Sequence, residues 1–414
     1  MALDDKKISR EFTFAQHKRN VKIFQILGFD ITVLVVPVIV LVWLDAGLSF
    51  SEILLLQGLF VVPTLILEVP SGSFADYWSR KGCTAVYHML FGVAMLIYAV
   101  GNNFYLFAIA EVTAGIGVAF QTGSETALIY DSLIVFEKDS KGKFGRTISK
   151  RMTVMFIGGA FGALAGGIIG TLSLIRIPII LTFFGHIFSV ILVYFGYTEP
   201  PRLKAKTPKA AIKKTLKSLT NSELSAILVF SLTGLVFSRI GFWAVQHMLV
   251  GDYYINALGM AFVLAGFNIC AAVSSLAIRT RVNQFSNFFT FLAIIIVEGF
   301  YFWSLIKVPN LIAILFVSLI AQLTRGIRTP LIQAFLQEHI SSDTRATFVS
   351  LMSFTGSLLY FIFSLISDVF DLSRDVSLSL GLLGLIVIAS VFIGFLVRKF
   401  RSTSSVSVPR CSKN

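Results

Sequence analysis

The chain has 414 residues, of which 56% are apolar and only 14% charged, and its mean hydropathy is +0.82. An ordinary soluble domain carries about 25% charged residues, so a soluble globular protein is excluded. The formal net charge of +13 would suit a nucleic-acid partner, but the placement of the basic residues argues for a lipid surface instead.

Apolar runs of about 20 residues, enough to cross about 30 Å of hydrocarbon, recur from end to end. They predict an all-α integral membrane protein with twelve spans near 22–44, 50–74, 83–101, 104–130, 148–172, 177–196, 223–250, 256–278, 286–307, 310–335, 346–370 and 376–398. The alternating segments of a transmembrane barrel are not seen. The charged stretch 1–22 runs into a span too long for a cleavable signal, so no processing is expected. Lysine and arginine concentrate in 1–21, 76–82, 131–147, 197–222, 279–285, 337–345 and the tail after 398, leaving little but Arg176, Lys307 and Arg374 on the other side. Basic residues mark the cytoplasmic face, which places both termini inside and assigns the charge to orientation and membrane lipids rather than nucleic acid.

The longest basic segment, 197–222, carries Ile212, Leu216 and Leu219 at helical spacing, as in a short helix lying on the inner leaflet. It divides the chain into an N-terminal six-helix bundle (1–196), a linker (197–222), a C-terminal six-helix bundle (223–400) and a tail (401–414). The two halves share a pattern. Ala110–Gly117 in span 4 aligns with Ala321–Arg328 in span 10, and Arg151-Met152-Thr153 at span 5 parallels Arg345-Ala346-Thr347 at span 11. A glycine follows eleven residues after each arginine, at Gly162 and Gly356. A parallel six-span repeat points to a two-bundle transporter with its site between the halves.

No phosphate-binding Gly-x-x-x-x-Gly-Lys-Ser/Thr loop, metal-ligand spacing or nucleophile motif is present, and the three cysteines are scattered. The chain is therefore not expected to be an enzyme or to hold a metal or cofactor; an ion gradient remains as the energy source. Ionisable residues at membrane depth are costly and usually functional. They are Asp30 in span 1, Glu111 in span 4, Arg239 in span 7, Glu298 in span 9, and Arg325 and Arg328 in span 10. A carboxylate whose arginine neighbour comes and goes is a proton carrier, and a static buried ion pair is the alternative.

Between spans 2 and 3 lies Gly72-Ser73-Phe74-Ala75-Asp76-Tyr77-Trp78-Ser79-Arg80-Lys81-Gly82, a polar turn on the basic side. It resembles the signature loop of the major facilitator superfamily, matching at Gly72, Asp76, Arg80 and Lys81, with Tyr77 and Ser79 as departures. The resemblance covers essentially the whole chain and implies two pseudosymmetric six-helix bundles, alternating access, a small-molecule substrate and a single-chain transporter of the cell membrane (the inner membrane if bacterial). It further implies that Asp131 pairs with Arg80, that Asp76 meets the start of span 11, and that Glu68 and Glu125 belong to the same gate. Gly158, Gly162, Gly166 and Gly167 in span 5 resemble the superfamily's antiporter motif, with Ala163 in place of its proline. Close helix packing explains the same glycines. Span 4 keeps the exporters' spacing as Ala108-x-x-Glu111-x-x-Ala114-Gly115-x-Gly117, but with glutamate where their arginine stands; Arg325 is the candidate to supply the missing charge. Glu298 is the weakest of the charged candidates, since span 9 in the superfamily usually lies outside the cavity. These features imply proton-coupled export of a small amphiphilic compound. Uptake of a polar or anionic solute bound by Arg239, Arg325 and Arg328 is the alternative, and a non-transporting receptor or scaffold is the alternative of another class.

Overall fold

The computed structural model of the chain describes residues 12–121, 124–136, 140–172, 174–201, 222–278, 288–307, 310–339 and 342–404. Lipid offers no hydrogen bonds, so a spanning backbone must satisfy its own polar groups. Helices do so here, and among the described residues there is no strand. Among the described residues, twelve stretches are long and apolar enough to cross a membrane. In chain order the helices are α1 (Phe14–Ile26), α2 (Val36–Asp45), α3 (Phe50–Tyr77), α4 (Arg80–Val100), α5 (Phe104–Gln121), α6 (Ser124–Phe136) and α7 (Ser140–Leu172). They continue as α8 (Ile177–Gly196), α9 (Ser222–Gly251), α10 (Ala257–Ile278), α11 (Phe288–Lys307), α12 (Leu311–His339), α13 (Ser342–Val369) and α14 (Arg374–Ser404).

Span 1 departs from the continuous helix expected over 22–44. It begins earlier, at Phe14, and breaks between α1 and α2 around a single 3-10 turn, Ile31–Leu34. The cause is local: Asp30 caps the turn, its Oδ1 accepting from the Thr32 amide at 3.0 Å and the Thr32 hydroxyl at 2.6 Å, and Pro37 opens α2 without an amide to donate. The expected loop at 131–147 is mostly helix, because α6 continues to Phe136 and α7 starts at Ser140. Likewise α12 reaches His339 and α13 starts at Ser342, leaving little of the loop expected at 337–345. Hydropathy marks where a helix leaves lipid, not where its hydrogen bonds stop.

The glycine-led turn is also shorter than expected. Helix α3 runs through Gly72 and Asp76 to Tyr77, and only Trp78 and Ser79 separate it from α4. Ser79 ends the break by accepting from the Gly82 amide at 2.7 Å, which caps α4. The side chains of Glu68 and Asp76 lie outside the described ones, as do the linker over 202–221 and the tail after 404.

By contact the chain gathers into two units: Met1–Ala205 with Val245–Ala272 and Phe361–Ser373, and Lys206–Ala244 with Val273–Tyr360 and Arg374–Asn414. This division runs through α9, α10 and α13. In the first unit α4 packs against α5 and α8, and α3 against α5. Ile23, Phe24, Leu128, Leu133, Val193 and Tyr197 form a buried cluster there. In the second unit α11 lies against α12 and α14, around Ile227, Phe230, Phe291, Leu331, Phe348 and Phe392.

The span 5 glycines form a packing surface on α7. Gly158 abuts the Phe29 ring, Gly162 the Val33 side chain, and Gly166 the backbone carbonyl of Leu34, all in the broken part of span 1. Gly167 points elsewhere, to Ala257 and Ala261 of α10. Their spacing brings two backbones together where no larger side chain fits. The same relation recurs in the second unit. Gly356, the repeat counterpart of Gly162, abuts Leu235 of span 7, as Gly162 abuts Val33 of span 1.

Candidate functional site

Three polar clusters interrupt the apolar packing. The first lies at the basic end of the first unit. Ser79, which caps α4, leaves Arg80 on the first turn of that helix, facing α6, where it forms an ion pair with Asp131. Glu199 accepts from the Ser79 hydroxyl and the Lys81 amide, each at 2.8 Å, and the Lys81 ammonium reaches the Tyr194 carbonyl at 3.1 Å. Glu199 was not singled out from the sequence; its signal was one carboxylate at the head of an otherwise basic segment. Six residues before Asp131 on α6, Glu125 takes Arg151 at 2.8 Å and the Tyr197 hydroxyl at 2.7 Å. Arg151 also stacks 4.1 Å above the Phe24 ring and donates to the Phe24 carbonyl. Glu125 thus has a cation and a further donor, Asp131 a cation and Glu199 two neutral donors, which ties these helix ends together.

The second cluster is deep in the first unit. Glu111 is buried at 6% exposure in α5, and its Oε1 accepts from the Tyr98 hydroxyl at 2.6 Å and from the Gln57 amide at 2.8 Å. Both donors are neutral side chains of the first unit. Tyr98 and Trp43 are both buried, with their rings 6.4 Å apart, and the Tyr98 hydroxyl finds its acceptor inside the protein. Nearby, His88 of α4 and His186 of α8 meet Nδ1 to Nδ1 at 3.1 Å among Tyr87 and Phe91. Asp30 is half-buried and spent on its cap.

The third cluster lines a cavity of about 420 Å³ inside the second unit, between α9, α11, α12 and α13. Helical periodicity brings Arg325 and Arg328, three residues apart on α12, to the same side, and Arg239 of α9 and Glu298 of α11 join them. Arg328 forms an ion pair with Glu298 and donates to the Ser238 hydroxyl at 2.7 Å. Its guanidinium sits 5.9 Å from the Phe230 ring centre, and Arg239 lies 5.4 Å from that of Tyr360. Gly234 makes room for this: a methyl group at its position would strike Arg328. Glu298 therefore joins the charged cluster inside the second unit, where a buried carboxylate and a buried arginine draw each other in. Among the described residues no group of three or more His, Cys, Asp or Glu side chains is placed to hold a metal ion.

Fold and clusters together define a polytopic helical protein with charged side chains sequestered at midspan, the build of a solute transporter. Residues 23–364 match the family model of the Major Facilitator Superfamily, and the chain belongs to that family of transporters. An uncharacterised MFS-type transporter of Methanocaldococcus jannaschii is 22% identical over 276 residues, 65% of this chain and 69% of its own length. The quinolone resistance protein NorA of Staphylococcus aureus is 31% identical over 98 residues, which is 24% of this chain and 25% of NorA. Among solved structures, a point mutant of the nucleoside transporter NupG superposes with a TM-score of 0.70 at 12% identity, covering 92% of this chain and 99% of NupG.

Proposed function

We propose that the chain is a secondary active transporter working by alternating access, which exports a small amphiphilic organic compound in exchange for protons. The observation that carries the coupling is Glu111, a buried carboxyl group about 10 Å from the start of α5 whose two hydrogen-bond donors, Tyr98 and Gln57, are both neutral. A carboxylate sealed from water without a counter-ion is expensive, and taking up a proton relieves that cost. A group of this kind is loaded from one side of the membrane and discharged to the other as its surroundings change. Asp30 is the weaker candidate, because its carboxylate already serves a helix turn. Export is favoured by the partial likeness to a drug-resistance protein, and by the glycine-lined α7 that resembles the antiporter motif.

On this reading the protein sits in the cell membrane with both termini in the cytoplasm, acts as a single chain and draws on the proton gradient alone. The Arg80–Asp131 pair and the Glu125–Arg151–Tyr197 cluster serve as the gate at the basic end. The second reading, proton-linked uptake of an anionic solute, is favoured by the arginines of the second unit. Vesicles of both orientations separate the two. Export in exchange for protons predicts that an imposed inward proton gradient empties right-side-out vesicles of substrate, and that an acidic interior fills everted ones. Gradient-driven accumulation in right-side-out vesicles would establish uptake instead.

A further inference from the structure

We infer that the cavity of the second unit is a binding site for an amphiphilic organic anion, its acidic head held by Arg325, Arg328 and Arg239 and its body by the apolar wall. This rests on the transporter reading above and names the class of substrate that reading leaves open.

Charge is the first argument. Three guanidinium groups line the cavity and one carboxylate, Glu298, opposes them, a net charge of plus two among the described lining residues. Glu298 is about 15 Å from the start of the 20-residue α11 at 1.5 Å per residue, so the Arg328–Glu298 pair lies at the middle of that span. Cations at that depth need a counter-charge, and a cationic ligand would add to the deficit. An anionic head removes it.

Donor geometry is the second argument. A guanidinium offers five N–H donors in a fixed fork, suited to carboxylate, sulfonate or phosphate oxygens. Arg328 is 7% exposed; Glu298 and Ser238 meet its two terminal nitrogens, and its Nε has no hydrogen-bond partner among the described residues. Gln322, also lining the cavity and 6% exposed, has its Oε1 likewise without one. Polar atoms this well buried are ordinarily paired: an acidic head supplies the acceptor for the Arg328 Nε, and a hydroxyl or N–H on the body of a ligand would donate to the Gln322 Oε1.

The remaining wall gives the body of the ligand its character. Leu235, Phe242, Phe302, Ile332 and Met352 present aromatic and aliphatic surface opposite the arginines, with Met352 able to adapt to different shapes. A cavity of about 420 Å³ with a few convergent polar groups falls within the range of small-molecule sites. Glu298 has a further consequence. It competes with the ligand head for Arg328, so binding an anion loosens the α11–α12 ion pair.

The test uses the purified full-length chain in lipid nanodiscs and four probes on one aromatic scaffold: naphthalene sulfonate, naphthoate, naphthamide and naphthyl trimethylammonium. Binding is read by equilibrium dialysis, with protein-free nanodiscs correcting for partition into lipid. The two anions should bind saturably, and the neutral and cationic probes at least about tenfold more weakly, the loss expected when one charge-assisted hydrogen bond goes. Arg325→Gln and Arg239→Gln should each weaken the anions by about tenfold or more, and Arg325→Lys should recover part of that loss. Thermal unfolding of each variant shows whether it is folded, and the probe comparison on the unaltered chain stands without them. Saturable binding of the neutral or cationic probe as tightly as the anions, folded arginine variants that bind anions unchanged, or no saturable anion binding would each overturn the inference. Anion binding with no proton-driven flux in vesicles would instead overturn the transport reading and leave this site standing.

Discussion

Replacing Glu298 with leucine leaves Arg328 as a buried cation whose remaining described contacts are the Ser238 hydroxyl and the Phe230 ring. With side-chain exposures of 8% for Arg328 and 6% for Glu298, neither charge is solvated by bulk water. Removing one partner of such a pair costs about 3–5 kcal/mol, because the other charge stays behind uncompensated. Glutamine should cost less, since its amide oxygen still accepts from the guanidinium and a hydrogen bond to a charged group recovers about 1.5–3 kcal/mol. The double variant Glu298→Leu with Arg328→Met removes both charges and should come within about 1 kcal/mol of the parent, as replacing a buried pair by apolar residues often does. With each single variant costing about 3–5 kcal/mol and the double about 1 kcal/mol, the coupling energy from the cycle is at least about 5 kcal/mol, against 0.2 to about 1 kcal/mol for exposed pairs. Reversible unfolding in mixed detergent micelles, followed by tryptophan fluorescence, measures all four members. A coupling below about 1 kcal/mol would refute the view that this pair is sealed in the second unit.

Two further substitutions test the packing of span 1. Gly166→Ala places a methyl group against the Leu34 carbonyl and should lower stability by about 1–3 kcal/mol despite alanine's better helix propensity, whereas Gly158→Ala meets only the exposed Phe29 ring and should cost less; thermal unfolding giving the reverse order would contradict the packing assignment. Asp30→Ala removes the cap of the 3-10 turn and should cost about 0.5–2 kcal/mol, while Asp30→Asn keeps an acceptor and should retain gradient-driven transport; loss of coupling in a stable Asn variant would return Asp30 to the coupling role.

Much of the fold is legible in the sequence because lipid reads hydropathy so directly. A run of twenty apolar residues has one stable outcome, and the twelve-span count follows. The limits show where other forces act. The break in span 1 is driven by a single carboxylate and Pro37, which change an average over twenty residues very little. The continuation of α6 and α7 past the lipid is backbone hydrogen bonding, to which hydropathy is blind. Within the clusters, residue type was enough to mark Glu111, Arg239, Arg325 and Arg328 as unusual. It could not assign partners: Tyr98 and Gln57 around Glu111 come from spans 3 and 2, and nothing in the local sequence of span 4 names them. Glu298 was undervalued for the same reason, since its meaning depends on Arg328, thirty residues further along the chain and facing it across the α11–α12 contact.

Proton movement coupled to the solute is the core of the account, and Glu111 is where it is most exposed to test. Reconstituted vesicles containing a trapped pH indicator, challenged with a transported solute, report it directly. The unaltered protein should shift the internal pH as the solute crosses, and Glu111→Gln should abolish that shift while still exchanging labelled for unlabelled solute. A Glu111→Gln protein that moves protons with solute as the parent does would contradict the mechanism.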